Sequence, residues 1–157
     1  MLIPLLIGCA TVFATMAVQI AAVVYMLQYL FKVVSEAETG YVGKGRTTYV
    51  ISMIMTMLFM GHMAQAAIWA VLFRQLGEFS DFQTAFYHSL VNFASLGYGD
   101  IVMSEQWRLL GAVEASTGVL MFGLSAGTML SIMSFTLSHD SRFKGKLSQL
   151  TNPTPKK

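Results

Sequence analysis

The sequence predicts an all-α membrane protein with three spanning helices and a re-entrant segment between the second and third. Three observations carry this. Of 157 residues, 55% are hydrophobic and only 11% are charged, with a mean hydropathy of +0.59. A soluble domain of this size carries about 25% charged residues. Three long runs are almost free of charge, each exceeding the roughly 20 residues that span a bilayer as a helix. Between the last two lies a segment too polar and too short for another span.

Helix 1 covers residues 1–31, where Leu2 to Phe31 hold no charged residue. The run is too long for the apolar core of a secretory signal, and no basic stretch precedes it. We read it as a retained helix. Its Cys9 is the single cysteine, which rules out a disulfide framework and a cysteine metal cluster. Residues 32–48 form a loop with Gly40, Gly43 and Gly45 and are expected to be irregular. Helix 2 covers 49–73, with His62 its only titratable group besides Tyr49. A histidine hydrogen-bonded between helices accounts for His62 more simply than a proton or metal site.

Residues 74–106 subdivide. Gly77 to Asp81 is exposed, and Ser80 or Asp81 suits an N-cap, with the acid placed well for the helix dipole. The helix that follows, 81–93, has Phe82, Ala85, Phe86, Leu90 and Phe93 on its apolar side. At about 1.5 Å per residue it reaches only halfway across a bilayer. The chain must then return through Ala94 to Asp100. Irregular backbone at membrane depth is tolerated only inside protein or beside water. Gly97 and Gly99 open backbone angles closed to other residues, so that successive carbonyls can turn to one side. Carbonyls around an axis can replace the water shell of a cation. The preceding helix also aims its negative end at that point.

Helix 3 covers 107–138. Val119, Phe122, Ala126, Met129, Leu130 and Met133 recur at helical spacing as an apolar wall, and a constriction near Leu130 or Ser134 is expected to gate by dewetting. Glu114 lies where an ionised carboxylate is expensive. Two roles are open to it: a hydrogen-bonded brace of the short helix, or a partner of His88 in a pH-sensitive filter. Gly118, Gly123 and Gly127 permit bending or close helix contact.

Lysine and arginine set the orientation. Of the ten, Lys32, Lys44, Arg46, Arg142, Lys144, Lys146, Lys156 and Lys157 fall on one side and only Arg74 and Arg108 on the other. The 32–48 loop and the 139–157 tail are therefore expected in the cytoplasm, and the N-terminus outside. The tail, short and basic, is expected to meet anionic lipid heads, and too short to fold as a regulatory domain. The net charge of +2 is a topology signal and gives no reason to expect nucleic acid.

Ser95-Leu96-Gly97-Tyr98-Gly99-Asp100 resembles the selectivity-filter signature of potassium channels, Thr-Val-Gly-Tyr-Gly-Asp. Trp107-Arg108-Leu109 is similar to the Trp-Gly-Arg-Leu that opens the inner helix of bacterial two-helix potassium channels. Aligned on the arginine, Gly118 falls on that family's hinge glycine and Phe122-Gly123 on its cavity Phe-Gly pair. The likeness covers about 80–135, with helix 2 as outer helix and helix 1 as an addition. It implies a homotetramer in a cell membrane, no cofactor, no enzymatic activity, and K⁺ held at Ser95, Leu96, Gly97 and Tyr98. Gly118, Phe122, Ala126, Leu130 and Ser134 would form the inner cavity and gate. Ser95 and Leu96 depart from Thr and Val. Val91 stands where many channels carry a glutamate behind the filter, so His88 and Glu114 are expected to supply the missing support. Tyr87 and His88 occupy positions often filled by aromatics.

A weakly selective cation pore would fit most of the same residues. Two other classes are less well served. Gly123-Leu124-Ser125-Ala126-Gly127 matches G-x-S-x-G, but that motif needs a strand-to-helix turn. Met53, Met55, Met57, Met60 and Met63 with His62 suit Cu(I), and Met53-x-x-x-Met57 is similar to the trimeric copper transporters. In that family the segment before the first helix is Met-rich. Nothing in copper transport calls for the glycine loop.

Overall fold

A computed structural model describes residues 2–35 and 44–139. It contains four helices: α1 (Leu2–Ser35), α2 (Lys44–Gln75), α3 (Phe82–Phe93) and α4 (Arg108–His139). Helices 1, 2 and 3 of the sequence reading are α1, α2 and α4. All three are long and apolar enough to cross a membrane, and the protein is a membrane protein. No strand occurs among the described residues. The expected loop is shorter than predicted, because α1 runs on to Ser35 and α2 begins at Lys44. Hydropathy marks where a helix leaves lipid, and charged residues such as Lys44 carry the helix further. Residues 36–43 and the tail beyond His139 lie outside the described residues, as do the irregularity expected of Gly40 and Gly43 and the lipid contacts expected of the tail.

The two helix ends that flank residues 76–81 are closed locally, one by backbone and one by a side chain. After α2, the amide of Glu78 donates to the Phe73 carbonyl and that of Gly77 to Arg74. This paired pattern needs a left-handed residue, and Gly77 supplies φ 78°. Asp81 is the N-cap of α3: its carboxylate accepts from the Thr84 amide at 2.8 Å. This bond holds the Asp81 carboxyl below its ordinary acidity range.

The interior has two apolar clusters. One joins Trp69, Phe73, Phe93, Leu110 and Met121 from α2, α3 and α4 with Phe79 from the turn between α2 and α3. The other joins Met26, Leu30, Ile54, Leu58 and Ile132 from α1, α2 and α4. A seam of polar side chains links the three long helices. Gln65 donates to Gln19 at 2.7 Å, Gln19 donates to Ser125 at 2.9 Å, and Ser125 meets His62 Nε2 at 3.1 Å. The additional helix α1 is thus tied to both α2 and α4 through Gln19. Small residues bring the backbones close, with Gly8 against Leu110 and Gly61 against Ala22.

Candidate functional site

The site starts at the end of α3. Leu96 donates its amide to the Val91 carbonyl and Ser95 to Asn92, the same closing pattern that ends α2. The left-handed position falls on Ser95, with φ 57°. A non-glycine residue here costs about 1 kcal/mol, and a β-branched one is worse. This gives a local reason for Ser where the resemblance leads one to expect Thr. Gly97 and Gly99 follow with φ 56° and 74°. Every second residue from Ser95 to Gly99 is therefore left-handed, the alternation that lets neighbouring carbonyls share a direction. Ser95, Leu96, Gly97, Tyr98, Gly99 and Asp100 are all exposed.

The end of α3 lies about a third of the way along α4. The carbonyl of Phe93 sits against Gly118, where any Cβ would collide with it. Gly118 is ten residues into α4, about 15 Å from its start. Residues 94–107 then lead from the end of α3 to the start of α4. Gly118 is thus a close-approach position between α3 and α4, and its bareness is required by packing. Gly111 has a milder version of the same constraint, facing the Asn92 amide.

Side chains of α3 hold the returning segment. The Tyr87 hydroxyl donates to Asp100 Oδ2 at 2.7 Å. This bond holds the Asp100 carboxyl below its ordinary range and pushes the Tyr87 phenol up. His88 Nδ1 meets the Ile101 carbonyl at 3.2 Å, and its ring packs against Phe79 and Phe73. Further out, Glu78 accepts from both the amide and the hydroxyl of Ser104 at 2.7 and 2.6 Å. The exposed turn after α2 is thereby clasped to the segment before α4. A cleft of about 540 Å³ opens between the loop and the first turns of α4, lined by His88, Asn92, Gly97, Gly99, Arg108 and Gly111 among others.

Of the expected supports, Val91 is buried with no polar part to play. Glu114 and His88 do not touch. Glu114, fully buried, is hydrogen-bonded to Ser89, and the Asn92 side chain is within its reach. Asn92 in turn meets His88 Nε2 at 2.9 Å. The link between the two predicted residues therefore runs through Ser89 and Asn92, which sequence reasoning passed over. Tyr87 as the partner of Asp100 was missed as well, as was the Glu78–Ser104 clasp. The i, i+4 spacing of His88 and Asn92 was a signal available in the sequence.

Val119, Phe122, Ala126, Leu130, Met133 and Ser134 are exposed on α4, and Met129 is half-buried. Phe122 also leans on the His62 ring at 4.6 Å and on Phe93 at 5.7 Å. Ser125 meets His62, but Nδ1 of that histidine has no partner, so no acid orients the ring as a hydrolytic triad requires. His62 is buried while Met55 and Met60 are exposed. No group of three or more His, Cys, Asp or Glu gathers among the described residues.

Residues 49–135, more than half of the chain, match the family described as Ion channel. The match runs from the start of the second span, through α3 and the glycine loop, to near the end of α4. Comparisons with curated proteins and with solved structures gave no match.

Proposed function

The chain belongs to this ion channel family, and from that premise we propose that it is a potassium-selective channel, passing K⁺ passively through a tetrameric pore. The observation that carries this is the run of left-handed backbone at Ser95, Gly97 and Gly99, directly after the C-terminus of α3. Carbonyls turned to one side offer the oxygen shell a desolvated cation needs, and the helix end adds its negative dipole. K⁺ occupies sites made by Ser95, Leu96, Gly97 and Tyr98. α3 is the pore helix and 94–107 the re-entrant return, with its mouth at the outer face. The N-terminus is outside and the tail cytoplasmic, against anionic lipid. Val119, Phe122, Ala126 and Leu130 line the inner cavity of a pore that performs no catalysis and needs no cofactor.

The test is the reversal potential of purified protein in planar bilayers with opposed K⁺ and Na⁺ gradients. A reversal close to the K⁺ equilibrium potential is expected. A reversal near zero refutes K⁺ selectivity and leaves a weakly selective cation pore. Cu(I) uptake by liposomes without K⁺ current would favour the copper-transporter reading instead.

A further inference from the structure

We propose that Glu114 is a neutral carboxylic acid and a positioning residue for the filter, donating its proton to Ser89 and so fixing the pore helix between α2 and α4. The role rests on the channel reading above; the protonation state does not.

The argument is a count of protons. Ser89 Oγ lies 2.7 Å from the carbonyl of Ala66 and is hydrogen-bonded to Glu114 Oε1. A hydroxyl has one proton to give, and a backbone carbonyl has none. The Ser89 proton therefore goes to Ala66. The contact with Glu114 needs a second proton, and the carboxyl is its only source. The other oxygen agrees: Oε2 is buried and makes no hydrogen bond of normal geometry, and the Asn92 amide that approaches the carboxyl donates to His88 Nε2. An ionised carboxylate would be buried facing only the Asn92 amide and no cation, whereas a neutral acid leaves only a carbonyl oxygen. Among the described residues, no ion pair involves Glu114.

The neighbouring histidine is neutral by the same count. The Asn92 amide donates to His88 Nε2, so the ring proton sits on Nδ1 and goes to the Ile101 carbonyl. Asp100 and Glu78 act on His88 through space, and Arg108 lines the same cleft as His88 and Asn92 but pairs with Glu105, so none of these charges is paired with Glu114. His62 on α2 is committed to Ser125, three turns further along α4. On α1, Cys9 is exposed, and Lys32 lies near the opposite end of that helix from Gly8, which packs beside Leu110 and Val113. Two hydrogen-bonded strings thus meet on one turn of α3. One runs Glu114–Ser89–Ala66 across three helices, and the other runs Asn92–His88–Ile101 to the residue after Asp100. Together they set where α3 ends and hence where Ser95 begins.

Two measurements on the full chain decide the matter. Infrared difference spectra between wild type and Glu114→Gln at neutral pH should lose a protonated-carboxyl C=O band. Loss of a carboxylate band instead overturns the neutral acid, whatever the protein transports. In bilayers, Glu114→Gln keeps an N–H donor for Ser89 and should retain the K⁺/Na⁺ permeability ratio. Glu114→Ala and Ser89→Ala should lower it about tenfold, the loss expected of one orphaned buried hydrogen bond. Ser89→Ala serves where Glu114→Ala fails to assemble. A ratio that falls as far in Glu114→Gln as in the alanine variants, or that stays unchanged in them, overturns the positioning role. A wild type without K⁺ selectivity sinks the potassium-selective reading and that role with it, while the infrared spectra still judge the proton.

Discussion

Tyr87 and Asp100 share one proton at the mouth of the proposed filter, and that proton sets a pH window. Asp100 is more acidic than usual because the Tyr87 hydroxyl donates to it. A depressed carboxyl contributes above its unfolded pKa, and the contribution is lost as pH falls through the folded one. The Tyr87 phenol is raised by the same bond, so its share is present at neutral pH and lost only as pH rises through its folded value. Both groups are exposed, so the effect on global stability is small. It should appear instead in the behaviour of the mouth. Tyr87→Phe removes the donor and leaves the ring. The current of this variant should decline with external acid at a higher pH than that of wild type, because Asp100 regains its ordinary acidity. Identical acid limbs in the two proteins would show that the bond does not hold the filter.

At the scale of the helices, the helical runs were legible, and so were His62 and Glu114 as polar groups that bond between them, but the partners were not. The spans stood out as uncharged runs, and α3 was marked by Asp81 and a repeating apolar side. Hydropathy could not mark the true ends at Ser35 and Lys44, because helix and lipid do not stop together. Nor could it pair residues 25 or 106 positions apart, such as Ser89 with Glu114 or Gln19 with Ser125. Such pairs depend on how helices cross, which no local period records. The joining of α1 is the clearest case, since its sequence shows Gln19 and Gln28 in an apolar run and does not say which of them reaches a neighbour. Gln19→Leu deletes two interhelical bonds, from Gln65 and to Ser125. Bonds of this kind in membranes average about 0.6 kcal/mol and reach about 1.7. The variant should therefore lose about 1–3 kcal/mol in denaturant titration of the detergent-solubilised protein. A loss within error of zero would mean that packing alone holds α1.

For the whole molecule, the proposed pore needs more than one chain. Tyr98 is 65% exposed, and Val119 and Leu130 on α4 are 57% and 67% exposed. Lipid can cover apolar side chains, but it cannot satisfy the open backbone from Ser95 to Gly99. That backbone needs water or protein, and one loop cannot enclose a file of water. In the proposed pore, closed rotational symmetry would solve this by bringing identical loops to one axis, where each covers the flank of the next. Four copies make a ring that fits a dehydrated K⁺ with two layers of carbonyls. Three copies are the arrangement of the copper transporters that the methionines of α2 resemble. The copy number thus separates the two readings without any transport assay. Native mass spectrometry from mild detergent should give an assembly of four times the 17.3 kDa chain. Leu130→Trp, on the proposed pore face, should leave that mass unchanged while blocking current. A stable trimer would remove the potassium pore from consideration, because three loops cannot complete its fourfold oxygen cage.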